Sequence, residues 1–298
     1  PPRSTLFPYT TLFRSPLEGL KTAQHLNLVY AKAGDIDLLL DLYLPANIDK
    51  PVPLVVWVHG GGWKNGSKGG RPGRFLSERG YAVASINYRL TDQAIFPAQI
   101  YDCKAAIRWL RSKADDYGID KNHIGVWGSS AGGHLVALLG TSGDVKELEG
   151  PLGPLNQSSR VQAVCDWFGP TDLTTIFADI EEQSPGRGLN TKNVVNLLLG
   201  GSPDEKIELA RLASPVSHIT KDDPPFLIMH GDKDMVVPIA QSRRFFQALQ
   251  KAKVPAELFE VKDAGHGFKE IKNRSDLDEK VRVFFDKYLK PNLDKSSY

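Results

Sequence analysis

Two rhythms of apolar residues alternate along this 298-residue chain. Short runs rich in Val, Ile and Leu recur between longer segments whose apolar positions repeat at i, i+3 and i+4. That alternation predicts an α/β architecture, a mostly parallel sheet covered by helices on both faces. Residues 26–31, "LNLVYA", and 36–44, "IDLLLDLYL", alternate in character and are joined by "KAGD", which predicts an antiparallel hairpin at one sheet edge. The runs at 53–60, 81–88, 123–128, 161–168, 225–231 and 256–261 are more continuously apolar, as fully buried strands should be, and bring the predicted strands to eight. Helical periodicity is expected at 98–118, 131–141, 239–252 and 277–289.

One interval breaks the rhythm. About 57 residues separate Trp167 from Pro225, where strand-to-helix connections usually take about 2 to 6. The excess predicts a small helical cap inserted after the sixth strand, at about 171–215. Neither an internal repeat nor a linker divides the chain, so one domain is expected over 16–298.

Composition removes several function classes. With 37 Lys+Arg against 35 Asp+Glu, the chain has no electrostatic footprint for nucleic acid or an anionic membrane. Apolar runs fall short of the roughly 18 residues a spanning helix needs, so the protein is read as soluble. Prolines interrupt the first 15 residues, which do not form a signal-peptide core. Residues 5–15, "TLFPYTTLFRS", resemble an in-frame translation of a sequencing adapter, which implies a gene assembled from environmental (metagenome) reads. Residues 1–15 are therefore set aside as a non-native leader. That origin leaves the native start undefined, and a secreted or periplasmic location is favoured over the cytoplasm. The two cysteines, Cys103 and Cys165, are too few for a disulfide framework or a metal knuckle. They are expected as buried free thiols, with a single bridge as the alternative.

The candidate chemistry begins at "GVWGSSAGGH", residues 125–134, where Gly128, Ser130 and Gly132 satisfy G-x-S-x-G between a predicted strand and a predicted helix. In such a nucleophile elbow the central residue is held strained and its flanks must be small, which selects Ser130 over Ser129. Ser129 is expected to point elsewhere and bond locally. A serine hydroxyl is a weak nucleophile and needs a histidine base with an acid behind it. The strand "PFLIMHG" opens into "DKDMVVP", offering Asp232 and Asp234, and His266 in "DAGHGF" is the one histidine beyond them. The order Ser, Asp, His suits an elbow of this type. Earlier, "VVWVHGGGW" at 55–63 places three glycines after a buried strand, where unobstructed amides suit an oxyanion hole. Its expected donors are Gly61 and Gly62, joined by Ala131, with His59 as a structural member of the turn. Lys64 and Lys68 follow, yet neither phosphate-loop pattern fits. Trp63, Trp167, Phe168, Phe177 and Phe268 are candidate walls of a substrate pocket.

Over residues 25–290, "HGGGW", "NYRL", "WGSSAGGHLVALLG", "FGPTDL", "PPFLIMHGDKDMVVP" and "AGHGF" resemble the α/β-hydrolase superfamily. The resemblance is closer to its bacterial feruloyl/acetyl-esterase branch, related to the hormone-sensitive-lipase-like carboxylesterases. Carried over residue by residue, "HGDKD" matches that family's His-Gly-x-x-Asp and favours Asp234 as the acid, with Asp232 and Asp166 as alternatives. The resemblance implies hydrolysis of short-chain or aromatic esters through an acyl-enzyme, including acetyl or feruloyl esters of plant carbohydrate. No cofactor or metal is called for, and the expected partner is a small-molecule ester, in a monomer or a homodimer. Two other readings stay open: a kynurenine-formamidase-like amidohydrolase, and a catalytically dead hydrolase fold used as a binding module.

Overall fold

The computed structural model describes residues 23–46, 48–69, 73–186 and 188–290; the leader assigned to residues 1–15 lies outside them. Among the described residues eight strands form one sheet: β1 (Ala23–Ala33), β2 (Ile36–Leu44), β3 (Val52–Val58), β4 (Ala82–Ile86), β5 (Ile119–Ser129), β6 (Ala163–Trp167), β7 (Phe226–Gly231) and β8 (Ala256–Val261), in the order β1-β2-β4-β3-β5-β6-β7-β8. β1 pairs antiparallel with β2, and β2 with β4, while every pair from β4 through β8 is parallel. This is the α/β-hydrolase fold that the alternating pattern and the motifs predict.

The helices are α1 (Arg74–Ser77), α2 (Ala98–Ser112), α3 (Ala114–Tyr117), α4 (Ala131–Thr141), α5 (Ile176–Gln183), α6 (Leu189–Leu199), α7 (Ile207–Leu212), α8 (Ile239–Lys251) and α9 (Ser275–Leu289). The single helix expected over 98–118 is broken, because Lys113 leaves helical geometry (φ −102°, ψ 9°) and its amide bonds back to Trp109 and Arg111. Between β6 and β7 lie α5, α6 and α7, followed by a 3-10 turn over Pro215–His218.

Strand residues point alternately to the two faces, and the core divides accordingly. Leu54, Val56 and Val58 join one apolar cluster with residues of α2, α4 and α8. Val55, Trp127 and Leu227 join a second with residues of α1 and α9. Cys103 belongs to the first cluster and Cys165 to the second, so the sheet lies between them; both are buried free thiols, which removes the disulfide alternative.

The junction of β5 and α4 is the tightest place in the core. A Cβ on Gly132 would penetrate the carbonyl oxygens of Val58 and His59, and one on Gly128 would strike the Gly132 carbonyl. Helix and sheet can approach this closely only because both positions lack a side chain. Gly132→Ala is therefore expected to destabilise the fold by about 3 kcal/mol or more, read as a fall in thermal midpoint or loss of folded protein. A wild-type melting curve from the variant would contradict this account of the junction.

Asp166, on β6, is fully buried, and its Oδ1 accepts the Gly169 amide at 2.9 Å while Oδ2 has no partner among the described residues. Burial pushes its pKa up to about 6, against the lowering effect of the Gly169 bond. Between the unfolded carboxyl value, about 3.9, and about 6 the folded state holds more protons than the unfolded chain. Stability from this group thus falls as pH rises through that window. Asp166→Asn, which keeps the Oδ1 acceptor, should flatten the loss. Urea midpoints at about pH 4.5 and pH 7.5 read the difference, and an unchanged slope would refute the assignment.

Candidate active site

The sharp turn from β5 into α4 puts Ser130 at φ 56°, ψ −120°, a region non-glycine residues rarely occupy. Its amide donates to the Trp167 carbonyl at 2.8 Å, and its own carbonyl receives the His134 amide at 2.9 Å. The strain is thus held between β6 and the first turn of α4. Ser129 borders the same cleft. Among the described residues its hydroxyl has no partner, so the expected local bond is not formed; a hydroxyl beside an open cleft needs no internal acceptor.

The structure brings the three predicted side chains together. His266 Nε2 lies 3.0 Å from Ser130 Oγ, and His266 Nδ1 lies 2.7 Å from Asp234 Oδ2. Asp234 is 2% exposed, and its Oδ1 accepts the amides of Val236 at 2.8 Å and Val237 at 3.0 Å. Burial alone would raise its pKa, but hydrogen bonds from His230 and His266 outweigh that and hold it well below the usual carboxylate range. An ionised carboxylate accepts only, so Nδ1 of His266 carries the hydrogen and Nε2 is left to accept from the serine hydroxyl. Asp232 is exposed, with its amide on the Val261 carbonyl, and Asp166 is bound to Gly169 instead. Neither meets the imidazole.

Residue 230 is a neighbour that sequence reasoning placed only as a strand end. His230 Nε2 donates to the Val237 carbonyl at 2.9 Å and lies 3.4 Å from Asp234 Oδ2, while its Nδ1 accepts from the Ser242 hydroxyl at 2.7 Å. It closes the loop that presents Asp234. The signal was available in "HGDKD", whose first residue it is.

Opposite Ser130, Gly61 (φ 114°) and Gly62 (φ 62°) turn sharply after β3. The Gly61 carbonyl takes the amides of Lys64 and Asn65, and among the described residues no acceptor takes the amides of Gly61, Gly62 or Ala131. Trp63 secures this turn: its Nε1 donates to His134 Nδ1 at 3.2 Å, and His134 Nε2 donates to the Ala213 carbonyl at 2.7 Å. Burial pushes His134 down to about 4, so it stays neutral. His59 is structural, bonded to the Gly60 carbonyl at 2.8 Å and stacked on Tyr88. Lys68 pairs with Asp41 at 2.6 Å, away from any phosphate role.

The cleft over Ser130 has a volume of about 910 Å³, and Trp63, Trp167 and Phe168 line it as expected. Phe177 and Phe268 do not. Phe177, on α5, packs against the first core cluster, and Phe268 is buried edge-on to Trp167 and Phe168. Their place is taken by Trp57, Phe75 and Trp127, with Arg74, Lys269 and Arg274 near them. Phe168 (φ 44°) packs its ring on His266 at 4.7 Å. Among the described residues, no group of side chains could hold a metal ion, and no helix is long and apolar enough to cross a membrane.

The chain resembles known proteins along most of its length. It is 33% identical to Esterase LipC of Mycobacterium tuberculosis over 235 residues, 77% of this chain and 57% of LipC. It is 32% identical to isoprenylcysteine alpha-carbonyl methylesterase ICME of Arabidopsis thaliana, covering 74% of this chain and 51% of that protein. The chain thus spans little more than half the length of these relatives. Among solved structures, a truncated carbohydrate esterase from gut microbiota superposes with a TM-score of 0.77 at 33% identity, covering 89% of this chain and 95% of the other. The propionate-bound Est2 esterase of Thermogutta terrifontis gives 0.73 at 28% identity, covering 91% and 94%. Residues 40–249 match the BD-FAE family. With its fold, its elbow and that match, the chain belongs to the BD-FAE family, within the α/β-hydrolases related to the hormone-sensitive-lipase-like esterases.

Proposed function

We propose that this domain is a serine-dependent carboxylic ester hydrolase acting on short-chain or aromatic esters, acetyl and feruloyl esters of plant carbohydrate among them. The observation that carries the reading is the continuous relay from Asp234 through His266 to Ser130, facing three amides with no internal acceptor. His266 Nε2 takes the hydroxyl proton as Ser130 Oγ attacks the ester carbonyl. The oxyanion is received by the amides of Gly61, Gly62 and Ala131, each such donor being worth about 2.7–4 kcal/mol in the barrier. His266 returns the proton to the leaving alcohol, and water then releases the acid by the same route. The imidazolium formed in each half-reaction is stabilised by Asp234, whose ionised state is secured by three donors, with His230 Nε2 3.4 Å away. No step requires a cofactor or a metal.

Several likenesses support this substrate class. LipC and ICME are named as esterases, the gut protein as a carbohydrate esterase, and Est2 has been captured with propionate and with butyrate. Est2 is also phosphorylated by paraoxon, so an organophosphate should label Ser130 here. A complete relay favours an active enzyme over a dead hydrolase fold serving as a binding module.

Ser130→Ala should fold normally yet lose turnover of p-nitrophenyl acetate and labelling by a fluorophosphonate. Asp234→Asn should lower kcat by about 10⁴-fold, since the amide presents the wrong partner to Nδ1. Retained hydrolysis by folded Ser130→Ala would overturn the mechanism. A panel of p-nitrophenyl esters, acetylated xylan, methyl ferulate and N-formylkynurenine tests the substrate class. Acetyl to butyryl esters are expected to lead, and a preference for long acyl chains or for the formamide would refute that part.

A further inference from the structure

The lining of the cleft over Ser130 divides by element into two arms, one from α5, α6 and Val236–Val237 and one from the ends of β3, β5 and β6. Toward the cap, Ile176, Thr191, Val194, Val236 and Val237 present apolar or uncharged groups. The opposite arm runs over the C-terminal ends of β3, β5 and β6. Trp57 and Trp127 are register partners there, their rings 4.8 Å apart and edge to face, and Trp127 meets Trp167 at 4.9 Å. Packed edge to face, these indoles give the arm an aromatic wall against which a planar ring can pack.

Charge distinguishes this arm further. Arg74, Lys269 and Arg274 border it against one acid, Asp278, although cations and acids nearly balance over the whole chain, 37 to 35. Among the described residues none of the three cations has a carboxylate at ion-pair distance. Glu270, beside Lys269, accepts the Gly265 amide at 2.9 Å. The Arg274 guanidinium lies 5.2 Å over the Trp167 ring, with one contact at 3.5 Å to the Gly267 carbonyl. Stacking fixes the plane of a guanidinium while leaving edge N–H groups to bind an anion in forked geometry.

We propose that this arm is the alcohol subsite and that, among aryl esters of short acyl chains, it favours those whose leaving ring bears a carboxylate over their uncharged counterparts. The inference rests on the esterase reading. The leaving oxygen must take its proton from His266 Nε2, and Gly267, Lys269 and Arg274, which follow His266 in the chain, wall this arm. The uncharged cap-side arm is left to the acyl group. For 4-acetoxybenzoate, the Ser130 Oγ–acetyl bond forms as the bond to the phenol oxygen breaks. The serine proton passes through His266 to the phenolate, and water then releases acetate, leaving 4-hydroxybenzoate.

The test compares 4-acetoxybenzoate with 4-acetoxybenzamide, its uncharged near-isostere, each rate normalised to alkaline hydrolysis. At low ionic strength the carboxylate ester should be favoured about tenfold in kcat/KM, mostly through KM, as expected for one charge-assisted pair at a cleft edge. The preference should shrink in about 0.5 M salt, where the screening length falls to a few ångströms. Arg274→Gln should reduce the ratio to near parity, and Arg274→Lys should restore part of it; circular dichroism verifies that both variants fold. Equal turnover of the two esters by the wild type, or an undiminished ratio in Arg274→Gln, would overturn the proposal and leave the esterase reading standing. Hydrolysis of neither ester would defeat both.

Discussion

The arrangement depends on one strained residue. Ser130 sits in a left-handed conformation because β5 must turn directly into α4, and backbone in such a region costs about 1–3 kcal/mol. Neighbouring contacts hold it there. The Trp167 carbonyl fixes its amide, and the contact between α4 and β3 at Gly132 prevents the turn from relaxing outward. The same geometry sets the Ala131 amide at the start of α4, beside the Ser130 hydroxyl. A relaxed turn would withdraw both the hydroxyl from His266 and the Ala131 amide from the cleft, so the contact between Ser130 and His266 depends on that strain.

Two buried aspartates at neighbouring strand ends show how environment divides identical side chains. Asp234 receives two backbone amides and faces two imidazoles, and it stays ionised. Asp166 has a single amide and an orphan oxygen, and burial drives its pKa to about 6. Both are largely ionised at neutral pH, but only the first meets the His266 imidazole, and it stays ionised far into acid. The difference is the number of donors that the chain places around each carboxyl, since both side chains are equally hidden from water.

That distinction marks the boundary of what the sequence makes legible. Periodicity locates all eight strands because core strands must be apolar in runs, and the elbow glycines identify Ser130 because nothing larger fits. The choice of Asp234 over Asp166 comes from a motif resemblance, since donor counts arise only after folding. The aromatic walls are harder still. Trp57 and Trp127 read as ordinary core strand residues, and Trp127 does belong to the second core cluster, with Trp57 packed against it. They border the cleft beside Arg74 and Phe75 of α1, a neighbourhood that strand periodicity does not encode. Phe268, by contrast, follows His266 closely in sequence but turns inward to support Trp167 and Phe168.

The helical insertion is also part of the relay. Gln183, at the end of α5, donates to the Asp234 carbonyl at 2.6 Å, and Thr191 of α6 donates to the Val236 carbonyl at 3.0 Å. α5 is anchored in turn to α8, where Arg244 meets Asp179 at 2.8 Å and Gln241 meets it at 2.6 Å. The loop carrying the acid is therefore gripped from the sheet by His230 and from the insertion by Gln183 and Thr191. Helices that line the cleft thus share hydrogen bonds with the loop whose carboxylate meets His266. A change in the insertion that reshapes the pocket must either preserve those two bonds or alter the setting of Asp234, which couples substrate fit to the geometry of proton transfer.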